Sequence, residues 1–372
     1  MRIALLVTQG EHGGVQDFLG RFMSHLKTQG HQVAVFCGPG DWLEAKCTIE
    51  GIRFIRLHKL KRNLHPWFDL QATRELRIAL RDYKPDAVHL NSSKIGIIGS
   101  LAARRAQVPR IVYRIGGWAF LEDLSPLKKW LYRSAEIFTA RFKDIIICVN
   151  PDDAEIAKRY GIKPRTEIRC VPNGINTDSM LTQLYTREEA RRILKANDHF
   201  IFGTIANFYP AKNLPNYIEA CAIVAVKNPE ARFVIIGDGE ERALIENAIQ
   251  KYNVKNKIIL AGAREDADRL YSAFDAFVLP SSKEGMSWAL LKAMACGLPC
   301  IATDVGAAKW MLDQNTGLLV KPADTNGLAT SMQEIITNKS LRTTLGENAQ
   351  KAVQDRFPLE QTMKGNELAL TS

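Results

Sequence analysis

Short apolar runs recur along this chain with helix-length amphipathic segments between them, and the whole alternation occurs twice. In the first half, strands are expected over 3–7, 33–37, 52–57, 87–90, 111–114 and 145–149, with helices over 15–28, 70–82 and 92–106. A second series of strands is expected over 201–205, 232–236, 257–260, 276–279 and 300–303. Brief apolar strands separated by helices are buried in a parallel sheet with helices on both faces. The expected fold class is therefore α/β, with two doubly wound, Rossmann-like domains. A length of 372 residues fits two domains. The turn-rich stretch 171–184, opening on Val171-Pro172-Asn173-Gly174, is the expected linker, giving domains of 1–178 and 179–357. Open sheets of this kind bind ligands outside the carboxyl ends of their strands. Two of them facing each other would form a cleft lined by the loops that follow the strands.

Composition narrows the classes. No run of about 18 apolar residues is present, so no membrane-spanning helix is expected. Residues 1–7 are too short for a signal peptide and lack a small-residue cleavage pattern, so they read as a first buried strand. Seven scattered cysteines suit reduced thiols and a cytoplasmic location. Cys296 and Cys300 are four apart but have no partners to complete a metal set, and no metal is expected there.

The net charge of +10 is concentrated in residues 1–180, which hold 28 Lys and Arg against 18 Asp and Glu. A basic first half meets an anionic ligand or surface, or is simply a soluble basic face. The clusters at 53–62, Arg104-Arg105 and Lys128-Lys129 beside Trp130 and Tyr132 suit an anionic membrane surface. No recognition motif accompanies the charge, so nucleic acid is not an expected partner.

Candidate chemistry sits after the strands. The stretch from Lys283 to Pro299 follows the 276–279 strand and a polar turn, and reads as a helix opened by Glu284-Gly285. The backbone N–H groups of Met286 and Ser287 would then face an anion, as helix N-termini do. Glu284 is either a charge–dipole partner of that helix or an acceptor for sugar hydroxyls. Lys212, after the 201–205 strand, can neutralise a diphosphate as a point charge. His12-Gly13-Gly14 lets a backbone approach a phosphate or sugar, or forms a tight turn. Asn91-Ser92-Ser93-Lys94 caps a helix or grips an acceptor's oxygens. Asp266-Ala267-Asp268 reads as a helix start rather than a metal site. Neither glycine loop, at 13–14 or 237–239, has the spacing of a dinucleotide fingerprint.

Taken together, these residues resemble the retaining glycosyltransferases of family 4, of GT-B fold. The resemblance rests on Ser281 to Gly285, Ala293 to Pro299, Ala302 to Gly306, Gly13-Gly14, Asn91 to Lys94, Gly117 to Phe120, Val171 to Ile175 and Ile236 to Gly239. The Asn-Ser-Ser-Lys and Gly-Trp-Ala-Phe segments are similar to members that extend bacterial surface polysaccharides, including lipopolysaccharide and capsule. The resemblance implies a metal-independent hexosyltransferase with no cofactor, its nucleotide-sugar, a UDP-sugar by family frequency, being a substrate. It implies Glu284 and Lys212 as the catalytic pair, Glu284 orienting the sugar and Lys212 holding the diphosphate. Donor contacts would come from Gly14, Asn207, Lys212, Gly237, Arg264, Glu284, Gly285, Met286, Ser287 and Lys292. The acceptor, a glycan or lipid-linked oligosaccharide, would meet His12, Gly13, Asn91, Ser92, Ser93, Lys94, Arg114 and Trp118. Attack on the same face, with a donor phosphate oxygen taking the acceptor's proton, leaves no role for a protein base. Residues 358–372 would form a closing helix that packs back on the first domain, and the enzyme would work in the cytoplasm or on the inner face of the cell membrane.

The chain departs from the family pattern at four places. Lys292 stands where a second glutamate holds the ribose, Asn207 where an arginine accompanies the loop lysine, and Gly116 where a histidine precedes Gly-Trp. Gly306-Ala307-Ala308-Lys309-Trp310 replaces Gly-Gly-x-Pro-Glu. These departures keep open a degenerate member acting as a binding or partner subunit; a third reading is another GT-B enzyme, such as a nucleotide-sugar epimerase.

Overall fold

A computed structural model describes residues 1–61, 65–196 and 199–372. It divides into two compact units, Met1–Pro172 with Gln361–Ser372, and Asn173–Glu360. The expected break at 178/179 instead falls inside a short helix, Thr177–Gln183, capped by the Asn176 side chain.

The first unit holds a seven-stranded parallel sheet: β1 (Arg2–Val7), β2 (Gln32–Cys37), β3 (Arg53–Arg56), β4 (Ala87–Leu90), β5 (Arg110–Ile115), β6 (Ile145–Cys148) and β7 (Glu167–Cys170). Their order is β3-β2-β1-β4-β5-β6-β7. β1, β2 and β4 are almost wholly buried, as strands covered by helices on both faces must be. The helix Gly14–Thr28 shows why the pattern works: Phe18, Leu19, Phe22, Met23 and Leu26 recur at helical spacing and all are buried. β7 escapes apolar periodicity because Glu167 and Arg169 alternate with Ile168 and Cys170. Of the basic cluster at 53–62, Arg53 and Arg56 lie on β3, and Arg62 lies outside the described residues.

The helix Leu359–Thr371 enters the first unit from Gln361 onward. Asn366 meets His89 at 3.1 Å, Glu367 bridges His25 and His31, and the Thr362 hydroxyl donates to the Pro172 carbonyl at 2.8 Å.

The second unit holds six parallel strands: β8 (Phe200–Ile205), β9 (Ala231–Ile236), β10 (Ile258–Gly262), β11 (Ala276–Leu279), β12 (Cys300–Thr303) and β13 (Leu318–Val320). The order is β10-β9-β8-β11-β12-β13. Each sheet therefore winds outward from a central strand in one direction, then restarts beside it in the other. The winding reverses between β1 and β4, and between β8 and β11. Helices leave opposite faces at such a reversal, so a crevice opens above the carboxyl ends of those two strands.

Candidate active site

In the second unit the reversal is flanked by the loops that follow β8 and β11. Ser282 N–H donates to the Ala211 carbonyl at 2.8 Å, which stitches the two loops together. This brings Lys212, at the end of a 3-10 turn over Pro210–Lys212, onto Glu284, with Nζ 2.6 Å from Oε1. The Ser281 hydroxyl donates to the same oxygen at 2.7 Å. Both charged side chains are partly exposed, 23% for Lys212 and 11% for Glu284. A carboxylate fixed by a cation and a hydroxyl, with its other oxygen outside these two bonds, can accept from a polyhydroxylated ligand. The adjacent ammonium can meet an anionic group.

Glu284 does not open a helix. The helix spans Trp288–Ala295, and the Ser287 hydroxyl caps it by accepting from Leu290 N–H at 3.3 Å. Two carbonyls that would have begun the helix earlier are used elsewhere. Gly285 O accepts from Ala307 N–H at 2.8 Å, and Met286 O accepts from the Asn173 side chain at 2.9 Å. Gly285 and Met286 therefore belong with Glu284 to the loop, and both are buried. The amide groups beyond reach of intrahelical carbonyls are those of the turn beginning at Trp288. Gly306 makes this loop arrangement possible. Its φ is +53°, and a Cβ there would sit 2.1 Å from the Glu284 carbonyl oxygen.

The other donor candidates are distributed around these loops. Asn207 is exposed in the loop after β8. Gly237, at φ +146°, lies so close to the Ala206 carbonyl that a Cβ would come within 1.8 Å, so its conformation serves loop packing. Arg264 forms a two-pronged ion pair with Asp266 at 2.8 and 2.9 Å, and Tyr185 donates to that carboxylate at 3.3 Å. The Arg264 bond holds the Asp266 carboxyl below its usual range. Lys292 is buried in the helix and its ammonium lies on the Asp268 carboxylate, at 2.5 Å. Both aspartates of Asp266-Ala267-Asp268 thus face basic side chains, and Asp266 starts a helix as expected, a single 3-10 turn over Ala267–Arg269. The structure brings together Lys212 and Glu284, and directs Lys292 and Arg264 to Asp268 and Asp266.

In the first unit the Thr8 and Ser92 hydroxyls meet at 2.6 Å, joining the loops after β1 and β4. Ser92 caps the helix Ser93–Arg105, and Gly13 precedes the helix that Gly14 begins. His12 is exposed, stacks on Trp42 with centroids 4.6 Å apart, and reaches Asp17 at 2.9 Å. Four acceptor candidates lie inside the unit instead. Asn91 donates to the Leu6 and His89 carbonyls, and Lys94 pairs with Asp69 at 2.6 Å. Trp118 is 1% exposed and donates to the Asp153 carbonyl at 2.9 Å. Arg114 sits 3.9 Å above the Phe18 ring, and burial brings its pKa down to about 9. Ser93 stays at the helix start, half-buried.

Ser281, Thr8 and Asp268 were not among the site residues expected from the sequence, although Ser281 and Asp268 stand in segments noted there. The first had a local signal, a hydroxyl three residues before Glu284. Asp268 stood out only as part of Asp266-Ala267-Asp268; its pairing with Lys292, like that of Thr8 with Ser92, depends on elements distant in sequence.

Known proteins are similar to this chain in sequence and in fold. The family described as Glycosyl transferase 4-like domain matches residues 13–174, and that described as Glycosyl transferases group 1 matches residues 186–352. The chain is 30% identical over 314 residues to the Escherichia coli UDP-Gal:alpha-D-GlcNAc-diphosphoundecaprenol alpha-1,3-galactosyltransferase, covering 83% of this chain and 81% of that one. It is 25% identical to the Campylobacter jejuni N,N'-diacetylbacillosaminyl-diphospho-undecaprenol alpha-1,3-N-acetylgalactosaminyltransferase, covering 95% and 94%. Among solved structures, Anabaena HepE in complex with UDP and glucose superposes with a TM-score of 0.87 over all of both chains at 18% identity. With the two reversed sheets and the residues at their strand ends, these matches identify the fold and the family: the chain is a GT-B glycosyltransferase and belongs to the family 4 type.

Proposed function

We propose that this glycosyltransferase moves a hexose from a UDP-sugar to a lipid-linked glycan acceptor during assembly of a cell-surface polysaccharide, with retention of anomeric configuration and without a metal ion. The observation that carries the reading is the Lys212–Glu284 pair above the ends of β8 and β11. Lys212 offers positive charge to a leaving diphosphate, the role that a fixed cation fills in stabilising developing negative charge. Glu284 accepts hydrogen bonds from the sugar and orients it. The bond from the anomeric carbon to the diphosphate breaks, and a bond to the acceptor oxygen forms on the same face. The acceptor's proton passes to a donor phosphate oxygen. The first unit takes the acceptor, with His12, Gly13, Ser92 and Ser93 at the ends of β1 and β4.

The donor base and acceptor class are supported by relatives. The Escherichia coli and Campylobacter jejuni proteins are both named for transfer to diphosphoundecaprenol-linked sugars, the former from UDP-Gal. HepE has been crystallised with UDP and with UDP-glucose.

Thermal shift with UDP, GDP and ADP and their sugar conjugates, with and without EDTA, followed by transfer to an undecaprenyl-diphosphate-linked sugar, tests the proposal. A ligand at about 100 times its dissociation constant adds roughly 2.7 kcal/mol of stability. The expected result is a shift with UDP compounds that EDTA leaves unchanged, and an α-linked product. A shift with GDP or ADP alone overturns the donor base. A UDP shift without turnover on any acceptor favours the binding-subunit reading.

A further inference from the structure

The helix Pro126–Ala140 in the first unit carries its apolar side outward. Leu127 is 67% exposed, Trp130 54%, Leu131 50%, Phe138 49% and Ile137 37%. At about 100° per residue these five side chains fall within one arc of roughly 120° along the length of the helix. The opposite side packs inward, with Ala140 and Tyr132 against the core, and it also buries a charged pair between Glu136 and, just past the helix, Lys143. Glu136 and Lys143 are 1% and 0% exposed and pair at 2.7 Å, and the Tyr113 hydroxyl donates to Glu136 at 3.0 Å. Rotating the helix to bury its leucines and aromatics would break that buried pair, so the outward apolar face is fixed by the fold.

The charges beside this face are basic. Lys128 and Arg133 fall on either side of the apolar arc, and Arg141 follows its carboxyl end, stacked 4.7 Å from the Phe138 ring. Glu136, the one acidic residue of the helix, is turned inward onto Lys143; Glu122 and Asp123 lie in the segment before it. Leucines and aromatics flanked by long cationic side chains match an anionic bilayer surface, where the apolar face enters the acyl boundary and the cations reach the headgroups. Among the described residues no helix is long and apolar enough to cross a membrane.

We infer that the outward face of Pro126–Ala140 is a docking surface for an anionic lipid bilayer, on which the helix lies in the interfacial plane. This extends the lipid-linked acceptor reading, and its test is read without any sugar transfer. The full chain is floated with vesicles of phosphatidylcholine alone or mixed with phosphatidylglycerol. Binding to the mixed vesicles, weakened by salt and near absent on phosphatidylcholine, is expected. The exposed substitutions Leu127→Ser, Leu131→Ser and Phe138→Ser together should weaken binding at least about tenfold, with an unchanged circular dichroism spectrum and unchanged transfer to a soluble acceptor analogue. Lys128→Gln should weaken it about fivefold on mixed vesicles. Wild-type protein that stays off phosphatidylglycerol vesicles, or a triple variant that floats like wild type, overturns the inference. So does a dimer in sedimentation equilibrium that the triple variant dissolves, since the face would then belong to a second copy.

Discussion

Glu284 and Lys212 stand 72 positions apart in the sequence and meet as an ion pair at 2.6 Å, each delivered by the loop after one of two neighbouring strands. The geometry separates their roles. Glu284→Gln keeps the side-chain shape and an acceptor oxygen but removes the charge. Turnover should fall by about 10²-fold or more, while stability changes by only about 1 kcal/mol, because the pair is partly solvated. Lys212→Ala should instead weaken UDP and UDP-sugar binding in calorimetry. Unaltered affinity in Lys212→Ala would remove that lysine from the donor site.

Lys292 and Asp268 make a second pair, with the lysine side chain 7% exposed and the aspartate 43%. Lys292→Glu places two carboxylates against each other. It should cost about 2–4 kcal/mol, a fall of roughly 5–15 °C in melting temperature for a unit of this size. Adding Asp268→Lys should return most of that loss. Thermal denaturation of the single and double variants checks the exchange, and no recovery in the double variant would show that the pair is not the cause. Any effect of Lys292→Glu on UDP affinity is meaningful only beside the double variant.

Periodicity made the two sheets legible, because strands buried on both faces are apolar end to end, as Ile3 to Val7 and Ala276 to Leu279 are. Glu284 and Lys212 were legible singly, since charged residues in loops after strands are where ligands meet an open sheet. Their pairing was not, because it depends on the adjacency of β8 and β11. The start of the helix at Trp288 was misplaced for a similar reason: the carbonyls of Gly285 and Met286 are taken by Ala307 and Asn173, neither of them a near neighbour in sequence. Lys94, Arg114 and Trp118 are residue types that bind ligands when exposed. Their partners Asp69, Phe18 and Asp153 come from other elements and draw them into the interior. Lys128-Lys129 beside Trp130 and Tyr132 was visible as basic and aromatic, but the helix Pro126–Ala140 that carries them was not expected, and its reversed orientation follows from the burial of Glu136 with Lys143.

Gly306 and Gly116 form a contrast that tests the Glu284 loop. A Cβ at Gly306 would sit 2.1 Å from the Glu284 carbonyl oxygen, at a φ of +53°. A Cβ at Gly116 would meet nothing within 4 Å. Gly306→Ala should lose about 1–3 kcal/mol and lower turnover more than that loss explains, because the Glu284 loop must shift. Gly116→Ala should fold with wild-type stability. Parallel melting and kinetic measurements on the two variants check this, and wild-type turnover in Gly306→Ala would show that the loop tolerates displacement.

His89 gives the first unit a pH dependence. The imidazole is fully buried on β4, with Nδ1 3.1 Å from Asn91 Oδ1 and Nε2 3.1 Å from Asn366 Oδ1. Burial first, and then the charge of Arg114, bring its pKa down from 6.5 to about 3. In the unfolded chain the ring titrates near its ordinary value, so between these limits the unfolded state binds the extra proton. Stability therefore rises with pH across that window: the contribution is complete above about 6.5 and is lost as the pH falls toward 3, with a slope of at most about 1.4 kcal/mol per pH unit. Carboxylates add their own dependence below about pH 5, and the chain holds six further histidines, so the difference between a His89 variant and wild type over the range from about 5 to 6.5 isolates this imidazole. His89→Gln cannot take up the proton and should flatten the melting temperature across that range relative to wild type. Parallel curves for the two proteins would mean that His89 titrates in the folded chain much as it does in the unfolded one.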